Sequence, residues 1–213
     1  MMKAFIFDMD GVIIDSEPHH VEVEIDTAKR YGATITEEDL AEYTGMVSLD
    51  MWERVKEKHG LTGEVRDIHE HAHTEKLKRL KESDLTPIKG IPELMKKLSE
   101  RNIPMAVASS SPRAYIEAVL QKFNIEDHFT SVISGEEVNQ GKPAPDIYLE
   151  TASVLGINPK DCVVLEDSHN GARSAKAAGM TCIGYAAPDA GDQDLSMTDT
   201  VVQAIGEIDV DQL

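Results

Sequence analysis

The sequence predicts an α/β fold: a parallel sheet with helices on both faces, interrupted after its first strand by an all-helical insertion. Three observations lead there. A buried-strand pattern, Ala4-Phe5-Ile6-Phe7, stands near the start of the chain and runs straight into acids. From Glu17 to about Ser83 the residues are mostly helix formers, with no convincing strand. From Pro87 onward short apolar runs alternate with amphipathic helical stripes, as in successive βαβ units.

Taken in order, "KAFIFDMDGVIID" supplies the first strand and a turn. The helical stretch divides into "EPHHVEVEIDTAKRYG", "TEEDLAEYTG", "SLDMWERVKEKHG" and "EVRDIHEHAHTEKLKRLKES". Thr36 followed by Asp39, and Ser48 followed by charged residues, resemble helix start signals. Ile91, Leu94, Met95 and Leu98 then repeat at i, i+3, i+4 and i+7, one apolar stripe of a helix. Pro104–Ser109 reads as a buried strand, Ile116, Val119, Leu120 and Phe123 as a second stripe, and Ser131–Ser134 as the next strand. Helix "APDIYLETASVLG", strand "CVVLE", helix "SHNGARSAKAAG" and strand "MTCIGY" complete the alternation, and the tail after Pro188 carries no clear pattern. The division is therefore an α/β core of residues 1–14 and 88–213 and a helical unit of residues 15–87.

Size and charge narrow the function classes. The 213 residues suit one large domain or a core with a smaller insertion. No apolar run reaches the roughly 20 residues of a membrane helix, and the N-terminus does not read as a signal peptide, so a cytoplasmic protein is expected. Asp plus Glu number 39 against 21 Lys plus Arg, a net charge of −18 that disfavours nucleic acid and anionic membranes as partners. Cys162 and Cys182 each sit in an apolar run and read as buried reduced thiols.

The strand ends carry the chemistry. Residues two apart share a strand face, so Asp8 and Asp10 aim at one place if they continue the first strand. Alone, they read equally well as turn acids before Gly11. The other strands decide. One ends in Ser109-Ser110-Ser111, one runs into "GEEVNQGKPAPD" with Lys142 before a Pro that can open a helix, and one ends in Glu166-Asp167-Ser168. In an open parallel sheet, ligands bind at the carboxyl ends of the strands. Four carboxylates together call for a hard divalent cation, most naturally Mg²⁺. With Lys142, Ser109 and a helix N-terminus, that cation would form an electrostatic clamp for a phosphoryl group. An Asp can then act as nucleophile and a second carboxyl as general acid and base.

The ordered set Asp8-Met9-Asp10-Gly11-Val12, Ser109, Lys142-Pro143 and Glu166-Asp167 resembles the haloacid dehalogenase superfamily of phosphohydrolases, over nearly the whole chain. "KPAPDIY" and "LEDSHNGARSAKAAGM" are most similar to the subfamily of β-phosphoglucomutase and small sugar-phosphate phosphatases. The resemblance implies a Rossmann-like core with an all-α cap inserted after the first motif. It implies that Asp8 attacks phosphorus and that Asp10 protonates the leaving oxygen and later activates water. Ser109 and Lys142, with Ser110 beside them, would hold the phosphate. Asp8, the Asp10 backbone carbonyl and Asp167 would ligate Mg²⁺, with Glu166 supporting through water. Dehalogenases of the superfamily lack the second acid, so Asp10 favours phosphoryl transfer.

The implied activity is phosphatase action on a small sugar or polyol phosphate, by a monomer; the alternative is a phosphosugar mutase. In the mutase a cap Arg grips a second phosphate, whereas here that loop reads Gly45-Met46-Val47-Ser48-Leu49. The core position three after the motif serine is Pro112, followed by Arg113 as a possible substitute. His20, Gly45 and Arg113 are the candidate substrate contacts. Ser110 and Ser111 read equally as helix caps, and His69 and His73 as a solvated polar face rather than a metal pair. Trp52 and Met51 are expected in cap–core packing rather than in the pocket. A phosphoacceptor signalling domain would share the Asp, Ser and Lys at strand ends but would lack the inserted helices. A catalytically silent family member used for binding would not be expected to keep all four motifs.

Overall fold

The structure is a computed structural model and describes residues 2–43, 46–187 and 193–213. Six strands form one parallel sheet in the order β3-β2-β1-β4-β5-β6. They are β1 (Ala4–Phe7), β2 (Met105–Ser109), β3 (Phe129–Ser134), β4 (Cys162–Glu166), β5 (Thr181–Tyr185) and β6 (Thr200–Val202). The alternation read from the sequence is therefore present, with strand ends shifted by a residue or two. The unpatterned tail adds β6, a short strand exposed at its first two residues, which explains its weak apolar signal.

β1 shows why both sheet faces are covered. Side chains two apart share a face, and the strand is apolar throughout. Phe5 and Phe7 enter one apolar cluster with α5 (Ile91–Glu100) and α6 (Arg113–Phe123), through Leu94, Leu98, Ile116 and Val119. Ala4 and Ile6 enter a second cluster with α7 (Asp146–Leu155) and α8 (His169–Ala177), through Ile147, Tyr148, Ala172 and Ala175. Phe7 pairs with Val107 on one side and Leu165 on the other, so β1, β2 and β4 end at nearly one level. Whatever follows those three strands is brought together.

Between β1 and α5 lie α1 (Glu17–Arg30), α2 (Glu37–Leu40), α3 (Ser48–His59) and α4 (Val65–Glu82). They bury their own cluster, with Val23, Ala28, Trp52, Val55, Ile68 and Ala72 at its centre. Thr36 caps α2 in a reciprocal capping box with Asp39, as its sequence signal suggested. Ser48 does not cap α3: Val47 occupies that position and Ser48 is the first helical residue. Both cysteines are buried and unbridged. Among the described residues no helix is long and apolar enough to cross a membrane.

Candidate active site

The first strand stops at Phe7, three residues short of the Asp10 that a shared strand face with Asp8 would require. The chain then folds into a tight loop in which the amides of Val12, Ile13 and Ile14 point to the carbonyl of Met9. Asp8 keeps one sheet contact, its amide donating to the Leu165 carbonyl at 3.0 Å. Gly11 has φ +77, and a Cβ there would collide with the Asp167 carboxylate. The glycine after the two acids is thus required twice, for its backbone angle and for the space it leaves.

Lys142, only 4% exposed, is the centre of the cluster. Its Nζ donates to Asp8 Oδ1 at 2.7 Å, to Glu166 Oε1 at 2.6 Å and to the Ala108 carbonyl at 3.2 Å. Glu166 is wholly buried and both its oxygens are engaged. Oε1 also accepts from the Tyr148 hydroxyl at 2.8 Å, while Oε2 accepts from the amides of Asp167 and Ser168 and from the Ser168 hydroxyl. A Cβ at position 171 would strike the Glu166 carboxylate, so Gly171 is what lets α8 pass so close. Pro143 does not open a helix; α7 starts at Asp146, preceded by Pro145.

Carboxylate oxygens of Asp8, Glu166 and Asp167 lie within 4.8 Å of one another. Burial pushes the Asp8 carboxyl up to about 8; Lys142 opposes this, and Glu166 and Asp10 reinforce it. Burial, then Glu166 and Asp8, push Asp167 well above the usual carboxylate range. Burial works against the charge on Lys142, but Asp8 and Glu166 more than offset it and hold the ammonium firmly protonated. Lys142 is bonded to two of these three carboxylates, and the three together offer an all-oxygen donor set. That fits a hard divalent cation such as Mg²⁺ and not a soft metal.

Asp10 points elsewhere. Its carboxylate accepts from the hydroxyls of Ser16 at 2.5 Å, Ser111 at 2.7 Å and Ser109 at 3.4 Å. His20 Nε2 lies 3.8 Å from it, with the imidazole edge-on to Tyr115. Burial, with Lys76 and His19 adding to it, lowers His20 to about 3, so the ring is neutral. Neither Ser110 nor Ser111 caps α6, whose N-cap is Pro112.

Asp8, Asp10, His20, Ser109, Ser110, Lys142 and Asp167 all line one cavity of about 930 Å³ between the strand ends and the inserted helices. Glu166 lies behind that wall. Arg113 is not among the lining residues; its guanidinium is forked onto Glu137 at 2.8 and 2.5 Å. Gly45 lies outside the described residues.

The expectation of a solvated face for His69 and His73 is overturned. Their rings stack 6.3 Å apart, His69 Nε2 lies 3.4 Å from Glu136 of the core, and His73 lines the cavity. Burial lowers both imidazoles below their usual value. Trp52 packs inside the helical cluster, while Met51 belongs to that cluster and also lines the cavity. Sequence reasoning missed Lys76, Glu24 and Tyr115 in the cavity wall, and Tyr148 behind it. A signal for Lys76 was present: it falls seven residues after His69 and three after His73, on the same helix face.

Comparison with known proteins agrees with this geometry. The profile of haloacid dehalogenase-like hydrolases matches residues 5–185. Hexitol phosphatase B of Escherichia coli K12 is 34% identical over 192 residues, 88% of this chain and 85% of that protein. A phosphorylated carbohydrates phosphatase of Thermotoga maritima is 32% identical over 179 residues, 84% and 82% of the two chains. The crystal structure of a β-phosphoglucomutase from Clostridium difficile matches with a TM-score of 0.89 at 25% identity, covering 100% of this chain and 95% of that one. The strand-end cluster and these likenesses lead to one conclusion: this chain is an enzyme of the haloacid dehalogenase-like hydrolase family.

Proposed function

We propose that the chain is a Mg²⁺-dependent phosphatase of small sugar or polyol phosphates that works through an aspartyl-phosphate on Asp8. The observation that carries this reading is Asp8 itself. It is a buried carboxylate at the end of the central strand, fixed by Lys142 and open to a cavity roomy enough for a phosphorylated sugar.

Asp8, Asp167 and the Asp10 backbone carbonyl would hold Mg²⁺, with Glu166 behind them, and the ion would neutralise charge between carboxylates and phosphate. An Asp8 oxygen attacks phosphorus, and the ester P–O bond breaks. Asp10 gives its proton to the departing alkoxide; Ser16 and Ser111 orient that carboxyl. Lys142 and Ser109 hold the phosphoryl oxygens during transfer. Asp10 then takes a proton from water, the water oxygen attacks phosphorus, and cleavage of the acyl phosphate restores Asp8 and releases orthophosphate. Residues 15–87 act as a cap over the core of 1–14 and 88–213, limiting water while the ester is broken.

Turnover of p-nitrophenyl phosphate with Mg²⁺ tests the reading. We expect activity to vanish with chelator, return with added Mg²⁺, and fall at least about a thousandfold in Asp8→Asn. Full activity in Asp8→Asn would overturn the mechanism. A screen of sugar and polyol phosphates would name the substrate. Faster conversion of β-glucose 1-phosphate to glucose 6-phosphate than to free phosphate, with a bisphosphate primer, would favour the mutase.

A further inference from the structure

The cavity wall supplied by α1 and α4 carries an ion pair that phosphate transfer does not use. Lys76 Nζ donates to Glu24 Oε1 at 2.5 Å, and the two side chains are only 12% and 13% exposed. Both face the same cavity as Asp8 and Lys142. Among the described lining residues, Lys76 and Lys142 are the only Lys or Arg side chains, while Asp15, Glu17, Glu22 and Glu37 add further acids. Asp8 and Glu166 already hold Lys142.

A second phosphate on the substrate needs an uncommitted cation. Lys76 does not offer one, because its charge is matched by Glu24 at contact distance, and a phosphate drawn to the lysine would meet that carboxylate as well. A hydroxyl faces no such conflict. It can donate to Glu24 and accept from Lys76 together, leaving the pair intact. His73 lies one turn before Lys76 on α4 and brings a buried Nε2 with no hydrogen-bond partner, a further site for a hydroxyl.

We propose that Glu24 sets the charge selectivity of the cavity: by holding Lys76 it admits phosphomonoesters with a neutral, hydroxyl-rich body and rejects bisphosphates. This rests on the reading of Asp8 and Lys142 as the phosphate end of the cavity. It adds a specificity-determining residue on the opposite wall, from the helical insertion.

The test compares a monophosphate with its bisphosphate, glucose 6-phosphate and glucose 1,6-bisphosphate, by calorimetric binding with Mg²⁺ present and by kcat/KM for phosphate release. Wild type should prefer the monophosphate. Glu24→Gln, which keeps the shape and removes the charge, should move the ratio toward the bisphosphate by about tenfold or more. Adding Lys76→Met to Glu24→Gln should cancel that gain, a result that a general loosening of the fold would not give. An unchanged ratio in Glu24→Gln, a gain that survives Lys76→Met, or no binding of either compound would each overturn the inference. If the binding ratio shifts but no ester is hydrolysed, the selectivity stands and the phosphatase reading falls. If esters are hydrolysed and the ratio stays fixed, the reverse holds.

Discussion

The strand ends and the inserted helices treat polar groups in opposite ways. At the strand ends Asp8, Lys142, Glu166 and Tyr148 are buried and tied to one another by hydrogen bonds of 2.6 to 2.8 Å. On the helices, apart from Lys76 and Glu24, the ion pairs reach further into solvent, as where Arg79 meets Glu22 and Asp26, or Lys58 meets Glu42. Buried polar atoms there lack hydrogen bonds, among them Nε2 of His69 and His73, Oγ1 of Thr27 and Nε1 of Trp52. A fully satisfied network has one arrangement, which would suit the invariant phosphate of the proposed substrates. Of the four helix residues His73 lines the cavity, where a spare ring nitrogen can adapt to the part of a substrate that varies.

The contrast predicts that removing one partner at the strand ends costs far more than removing one on the helices. The largest effect belongs to Lys142→Met. Asp8 and Glu166 would lose the charge that compensates them, and stability should fall by about 3–5 kcal/mol in urea unfolding. A loss below about 1 kcal/mol would place this lysine in the same class as the surface pairs.

A smaller effect, spread over pH, belongs to His69 and His73. Their folded values lie below the unfolded value, so between the two the unfolded chain binds more protons and stability drops as pH falls. The loss begins near the unfolded value of about 6.5 and continues downward. His69→Gln/His73→Gln should flatten this acid arm in thermal melts, whereas an identical arm would mean the two rings are not held neutral between helix and core. The smallest effect is local. Thr36→Ala removes the capping box of α2 and should cost about 1 kcal/mol, with turnover of p-nitrophenyl phosphate unchanged. A large fall in turnover would mean that α2 governs the cavity.

The same contrast explains what the sequence disclosed. Asp8, Ser109 and Glu166-Asp167 sit at or just after apolar strand runs too regular to misplace, and Lys142 follows the next such run by a short loop, so the pattern alone brings them together. What escaped were relations among distant segments. Asp10 turns to Ser16 and Ser111 because the strand stops at Phe7, which no propensity rule locates to a single residue. Arg113 goes to Glu137, a partner supplied by the turn after β3. His69 and His73 look solvent-facing because their neighbours Glu70 and Thr74 are exposed, but α4 presses its other side toward the core. β6 is too short and too exposed to show an apolar pattern.

The order of the strands also has a consequence for how the enzyme comes into being. Phe5 pairs with Met105, and Ala4 with Cys162, so the segment bearing Asp8 emerges from the ribosome long before either lateral neighbour exists. Until β4 has been made, Asp8 has neither its lysine-bound glutamate nor the Leu165 carbonyl that receives its amide. The Asp8 cluster is therefore completed only once β4 has been made, although the strand that leads into it precedes both of its neighbours.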